Sequence, residues 1–111
     1  MALALNVFKT YTAELTTAST TVYTAPASYT GIVLLAQIAN ISGASGSVTV
    51  IVTNTASGQA ELLKNFAIAA NDSISAVSGK LVVESGCEIK VSADANSKYK
   101  ITLSILESAN E

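Results

Sequence analysis

Neither histidine nor tryptophan occurs among the 111 residues, all six basic residues are lysines, and there is one cysteine and one proline. Each scarcity removes a class of function. Without histidine the commonest general base and metal ligand is gone, together with every Ser-His and Cys-His nucleophile arrangement. Without arginine there is no planar fork for phosphate or guanine, and a net charge of −2 supplies none of the counterion release that drives nucleic-acid binding. A lone Cys87 cannot close an intrachain disulfide, which excludes a disulfide-stapled secreted scaffold. The expectation is therefore no nucleic-acid partner, no cofactor, no metal centre and no enzymatic activity.

Long apolar runs are missing as well. The longest, Ile32 to Ala36, ends at Gln37, far short of the roughly 20 residues that span a bilayer. The opening Met-Ala-Leu-Ala-Leu-Asn lacks a basic start and is too short for a signal peptide. These features point to a soluble chain made in a cytoplasm, with no membrane partner.

What is present is apolar and β-rich. Hydrophobic residues make up 50% of the chain and charged residues 13%, against about 25% charged in an ordinary globular domain. Either other subunits cover part of such a surface, or the abundant Ser and Thr solvate it. The length suits one domain burying roughly 65% of its unfolded surface, with residues 1–5 as an N-terminal arm and 6–111 as the domain.

Alternation of apolar and polar residues is clearest from Gly79 to Leu106. Ile89, Val91 and Ala93 share one face of a strand, and Tyr99, Ile101, Leu103 and Ile105 share one face of the next, leaving Lys90, Ser92, Lys98, Lys100, Thr102 and Ser104 outward. With Leu81 to Val83 these read as a three-stranded meander. Asn6 to Thr17 alternates too, with Val7, Tyr11, Ala13 and Leu15 on one face and Lys9 among them. Thr20 to Tyr23 is a short strand stopped by Pro26. Gly31 to Ile41 is apolar on both faces, as expected of a strand buried on both sides or lying under a neighbouring subunit. The SGASG turn at Ser42 to Gly46 leads to Ser47 to Asn54, and a hairpin is the natural reading. Ala60 to Ala70 fits either a strand or a helical stripe, and its all-β surroundings favour strand. Ser73 to Val77 is a short strand or irregular bridge. About eight or nine short strands, with turn signals roughly every 8 to 12 residues, predict an all-β, antiparallel, jelly-roll-like β-sandwich.

Candidate chemistry is sparse. Cys87 follows Gly86, and Lys90, the nearest cation in sequence, falls on the opposite face of the strand. A small buried hydrophobe is therefore favoured over a reactive thiol. Glu84 and Glu88 flank the same corner, and paired carboxylates can cleave glycosides. Acids at a strand end are more simply a solvated rim. Asp72 and Asp94 sit in turns with Asn71 and Asn96, without the regular acidic spacing of a calcium loop, so turn formation is their expected role. Tyr11, Tyr23, Tyr29, Tyr99, Phe8 and Phe66 are the only groups able to stack on a sugar. No catalytic, cofactor or metal residue is assigned. Leu3 and Leu5 of the arm are the candidate partner contacts, a frayed terminus being the alternative.

Four strings carry a family likeness: TVYTAP at Thr21 to Pro26, the apolar run ending in an Ala-Asn pair at Ile32 to Asn40, GKLVVESG at Gly79 to Gly86, and KITLSILE at Lys100 to Glu107. In this order the chain resembles small virion structural proteins of tailed bacteriophages, especially of marine cyanophage-like viruses. Cys87 departs from the polar residue expected in that corner. The resemblance implies a non-enzymatic sandwich located in the virion after assembly in the host cytoplasm. Its implied role is a capsid decoration or cement protein bound to the major capsid protein, trimeric by analogy. A tail, baseplate or fibre-associated component is the alternative, and a host-surface carbohydrate-binding module is a third.

Overall fold

The computed structural model describes residues 6–56, 58–77 and 79–109. Among these residues nine strands follow one another: β1 (Asn6–Glu14), β2 (Thr20–Thr24), β3 (Tyr29–Asn40), β4 (Gly46–Asn54), β5 (Gly58–Ile68), β6 (Ser73–Ser75), β7 (Leu81–Val83), β8 (Glu88–Ala93) and β9 (Tyr99–Ala109). Ala60 to Ala70 is thus strand for most of its length, and no helix occurs among the described residues.

Two antiparallel sheets face each other. One has the order β1-β9-β3-β6, with β7 also paired to β3, and the other the order β2-β8-β4-β5. β6 and β7 bond to different stretches of β3, at Gln37 to Ala39 and at Gly31 to Val33, so together they fill one strand position. Counted that way the order is that of a jelly roll, in which most successive strands alternate between the sheets.

That alternation overturns two local expectations. The stretch from Gly79 to Leu106 forms three strands but no meander: β7 pairs with β3, β8 with β2 and β4, and β9 with β1 and β3. Likewise β3 and β4 are no hairpin, because the SGASG turn carries the chain from one sheet to the other, and β4 pairs with β5 and β8 instead. Local turn chemistry specifies that the chain reverses, not which sheet it rejoins. β3 is also not buried on both sides. Gly31, Val33, Ala36 and Ile38 are buried, while Leu34 and Leu35 remain exposed.

The core lies between the sheets. β9 supplies Tyr99, Ile101, Leu103 and Ile105, and across the gap stand Val48, Val50, Ile89 and Val91. Asn40 is 1% exposed yet fully used, its amide donating to the carbonyls of Ala44 and Ile68 and its oxygen accepting from Ser42. This one side chain fixes the β3–β4 crossing against the end of β5.

Two tyrosines bridge the sheets, each over a glycine of the opposite one. Tyr23 of β2 lies against Gly31 of β3, and Tyr99 of β9 lies against Gly46 of β4, so that a Cβ at either glycine would collide with the phenol hydroxyl. Gly46→Ala is therefore expected to lower stability by about 1–3 kcal/mol, the usual cost of overpacking. Urea titration should show a lower midpoint at unchanged slope; an unchanged midpoint would mean that Tyr99 has room to move.

Candidate functional site

Among the described residues charge enters the interior at one place. Period-two alternation continues past Ile105 and puts Glu107 on the inward face of β9, where its side chain is 3% exposed. Tyr23 reaches across from β2 and donates its hydroxyl to Oε2 at 2.9 Å. Lys9, inward-facing on the edge strand β1, brings Nζ to 3.0 Å from Oε1. Tyr11 packs on Tyr23 with ring centroids 5.4 Å apart and tilted by 56°, within the favourable range for aromatic pairs. Burial first, then the bond to Glu107, pushes the Tyr23 phenol well above its ordinary value of 10.0. The same carboxylate holds the Lys9 ammonium above its ordinary 10.5.

A second cluster closes the other end of β9. Tyr99 donates to Asp94 Oδ1 at 2.8 Å, and Lys98 donates to the Ser45 carbonyl at 2.7 Å. The Tyr99 hydrogen bond is the main cause that holds the Asp94 carboxyl below its ordinary value. Burial, then Asp94, pushes Tyr99 up to about 12.

Neither cluster is arranged for catalysis. Both oxygens of Glu107 are committed to protein partners, and no buried side-chain polar atom among the described residues lacks a hydrogen bond. A shallow open depression of about 400 Å³ is lined by Thr12, Ala13, Glu14, Lys100, Ile101 and Thr102, one lysine, one carboxylate and two hydroxyls on the surface of the β1–β9 pair.

The residues singled out in the sequence are dispersed. Glu84 accepts from Asn54 at 3.0 Å, and Glu88 faces Lys90 at 3.7 Å, which leaves them as separate rim contacts. Asp72 accepts from the amide of Ser73, its neighbour in a turn, whereas Asn96 accepts from the Thr17 amide, 79 residues away, and so ties two loops together. No group of three or more Asp, Glu or Cys with metal-binding geometry occurs among the described residues. Cys87 is 2% exposed and packs in the core. Tyr23 and Tyr99 are buried, which removes two of the groups considered for sugar stacking. Leu3 and Leu5 lie outside the described residues. The Glu107 cluster was not singled out from the sequence, although its signal is there: Lys9 and Glu107 are charges of opposite sign at inward positions of their strands.

The apolar surplus lies on the surface. Phe8, Leu34, Leu35, Ile41, Phe66 and Val82 are large hydrophobic side chains left exposed. The candidate functional site is accordingly a surface, not a pocket.

No protein-family model and no curated protein sequence matches this chain. Among solved structures it is similar to a protein of Bacillus endospore appendages, described as forming a novel family of disulfide-linked pili. The identity is 11% and the TM-score 0.58, over 100% of this chain and 97% of the other. At that identity the likeness is one of fold.

The Glu107 cluster generates a pH prediction. Tyr23, Tyr99 and Lys9 all have raised folded-state values. Their contribution is fully present below the ordinary values of 10.0 and 10.5 and is lost as pH rises through the higher folded ones. Asp94, lowered from 3.8, contributes above that pH and loses its contribution as pH falls through its folded value. Melting temperature should therefore drop once pH exceeds 10.0, with the phenolate absorbance of these two tyrosines appearing together with unfolding. Phenolate forming at its ordinary pH in the folded protein would contradict the cluster. Tyr23→Phe leaves a buried carboxylate short of one bond and should cost about 1.5–3 kcal/mol at neutral pH.

Proposed function

We propose that this chain is a structural subunit that acts by non-covalent association, without an active site. The observation that carries the reading is the apolar surface. The few polar side chains inside the sandwich are satisfied and closed off, while six large hydrophobic side chains among the described residues stand on the outside. Exposed apolar area in a chain with 13% charged residues is stabilised most simply by burial against other subunits.

Two kinds of assembly suit such a subunit. The fold likeness to an endospore-appendage protein supports a filament or appendage. The order of the TVYTAP, GKLVVESG and KITLSILE strings supports a virion role, with the chain cementing a major capsid protein shell or forming part of a tail or fibre. In either case many weak contacts become strong through multivalency. The disulfide linkage named for the appendage protein does not carry over, because the single cysteine, Cys87, lies in the core.

Sedimentation and electron microscopy of the purified protein test the proposal. Concentration-dependent assembly that survives reductant is expected. A chain that stays monomeric at every concentration, and fails to bind empty phage heads as well, would end it. In the same samples Cys87 should resist thiol reagents until denaturant is added; rapid labelling of the folded protein would put the thiol at the surface.

A further inference from the structure

The edges of the two sheets differ in how they are guarded. β5 carries two register shifts against β4, β2 carries one against β8, and β6 and β7 are three residues each. Irregular or short edge strands are poor templates for a further strand. β1, the outermost strand of its sheet, pairs with β9 over nine residues without a shift and contains no proline or glycine. Which of its main-chain groups stay open follows from two bonds beside it. The Leu15 amide donates to the Tyr99 carbonyl, and the Ile41 amide donates to the Lys98 carbonyl. Successive residues of an antiparallel strand turn their N–H and C=O groups to opposite sides. Odd-numbered residues of β9 therefore bond to β1 and even-numbered ones to β3, and the odd-numbered residues of β1 are spent on β9. Asn6, Phe8, Thr10, Thr12 and Glu14 consequently point their amides and carbonyls out along the edge. Their side chains lie on the exposed outer face of the sheet.

We infer that β1 pairs antiparallel with β1 of a second copy about a two-fold axis at Thr10, joining two sheets into one. An axis perpendicular to the sheet keeps both outer faces on the same side, so only residues of like parity stand opposite one another. The open residues of one strand then meet the open residues of the other. Of these registers the one centred on Thr10 engages the whole strand. On the outer face Asn6 meets Glu14 of the second copy, Phe8 meets Thr12 and Thr10 meets Thr10; on the inner face Val7 meets Ala13 and Lys9 meets Tyr11. The two edges exchange about ten main-chain hydrogen bonds in this way. Thr beside Thr and an aromatic ring beside a β-branched residue are favourable cross-strand pairs. Phe8, 74% exposed, gains a neighbour on its open flank.

Charge selects the same register. Centring the pair on Lys9 would set two ammonium groups opposite each other, which destabilises a cross-strand pair, and centring it on Tyr11 would set Phe8 against Glu14. An inward charge on an edge strand ordinarily discourages pairing. Here Glu107 holds the Lys9 ammonium at 3.0 Å, so the charge is answered within its own copy, and what it excludes is the register that opposes lysine to lysine. The contact is isologous and closes on itself, giving a dimer from which any larger assembly grows through other surfaces. The inference rests on the association reading above and specifies its first contact.

Sedimentation equilibrium of the full chain, of Thr10→Pro and of Thr10→Lys tests it. The full chain should be dimeric. Thr10→Pro removes an outward amide and no bond to β9, the place where an edge strand tolerates proline, and Thr10→Lys sets two like charges at the axis. Each should dimerise about tenfold or more weakly than the parent. Thr10 is exposed, so Thr10→Lys should keep the parent's urea midpoint when both are compared as monomers. Mixing Thr10→Lys with Thr10→Glu should restore dimers that neither forms alone. Under oxidising conditions Thr10→Cys should link to itself and Phe8→Cys should not, since the two Phe8 positions lie about 14 Å apart along the pair. Undiminished dimerisation of Thr10→Lys, or self-linking of Phe8→Cys in place of Thr10→Cys, would overturn the edge pairing while leaving the association reading intact. A chain that stays monomeric at every concentration would overturn the pairing, and the association reading with it only where empty phage heads go unbound too.

Discussion

A buried carboxylate must be surrounded by donors, and Glu107 meets that demand by drawing three strands and both sheets to one point. Its two oxygens take the Tyr23 hydroxyl from the opposite sheet and the Lys9 ammonium from the neighbouring edge strand. For Tyr23 to reach it, the intervening residue of β3 must lack a side chain, which is the place of Gly31. Glu107 is taken out of water while Lys9 stays partly exposed; burying a paired carboxylate gains little net stability over apolar packing, while removing its partners leaves the charge stranded. Its effect is then on geometry: strand pairings that separate Glu107 from Tyr23 and Lys9 are penalised.

β9 carries that logic along its length. Glu107 closes one end and Tyr99, bonded to Asp94 above Gly46, closes the other, with Ile101, Leu103 and Ile105 buried between them. The central strand of one sheet is thus fixed to the opposite sheet at both ends by directional bonds and in the middle by non-directional packing. The register of β1 and β3 on β9 follows, because a slip of one residue would turn Glu107 and the isoleucines outward.

The margins of the sandwich are built differently from its centre. β5 has two register shifts against β4 and a left-handed Asn65 held by Thr49; β2 has one shift, and β6 and β7 are three residues each. Bulges and short strands are the usual means of blunting an edge against unwanted pairing. β1 has neither: its nine residues pair with β9 in unbroken register. Its protection is the inward lysine that serves Glu107, and its outer face carries the exposed Phe8.

Strand content was legible because burial on one face imposes a period of two, and that period survives in Asn6 to Glu14, Glu88 to Ala93 and Tyr99 to Leu106. Turn residues marked the reversals correctly, and the all-β context rightly favoured strand for most of Ala60 to Ala70. The absence of a histidine-based or arginine-based site was a matter of composition. Pairing was not legible, since SGASG and the Glu84 to Cys87 corner look the same whether a chain turns back on its neighbour or crosses to the other sheet. The Glu107 cluster escaped notice for the same reason: Tyr23 and Glu107 are 84 residues apart, and nothing local records that they meet. The sequence by itself thus determined which residues face inward, through alternation that each strand carries alone. The tertiary structure alone decided which strands lie side by side, and with them the buried carboxylate's partners, because non-local contacts are set by how two sheets close over a shared core.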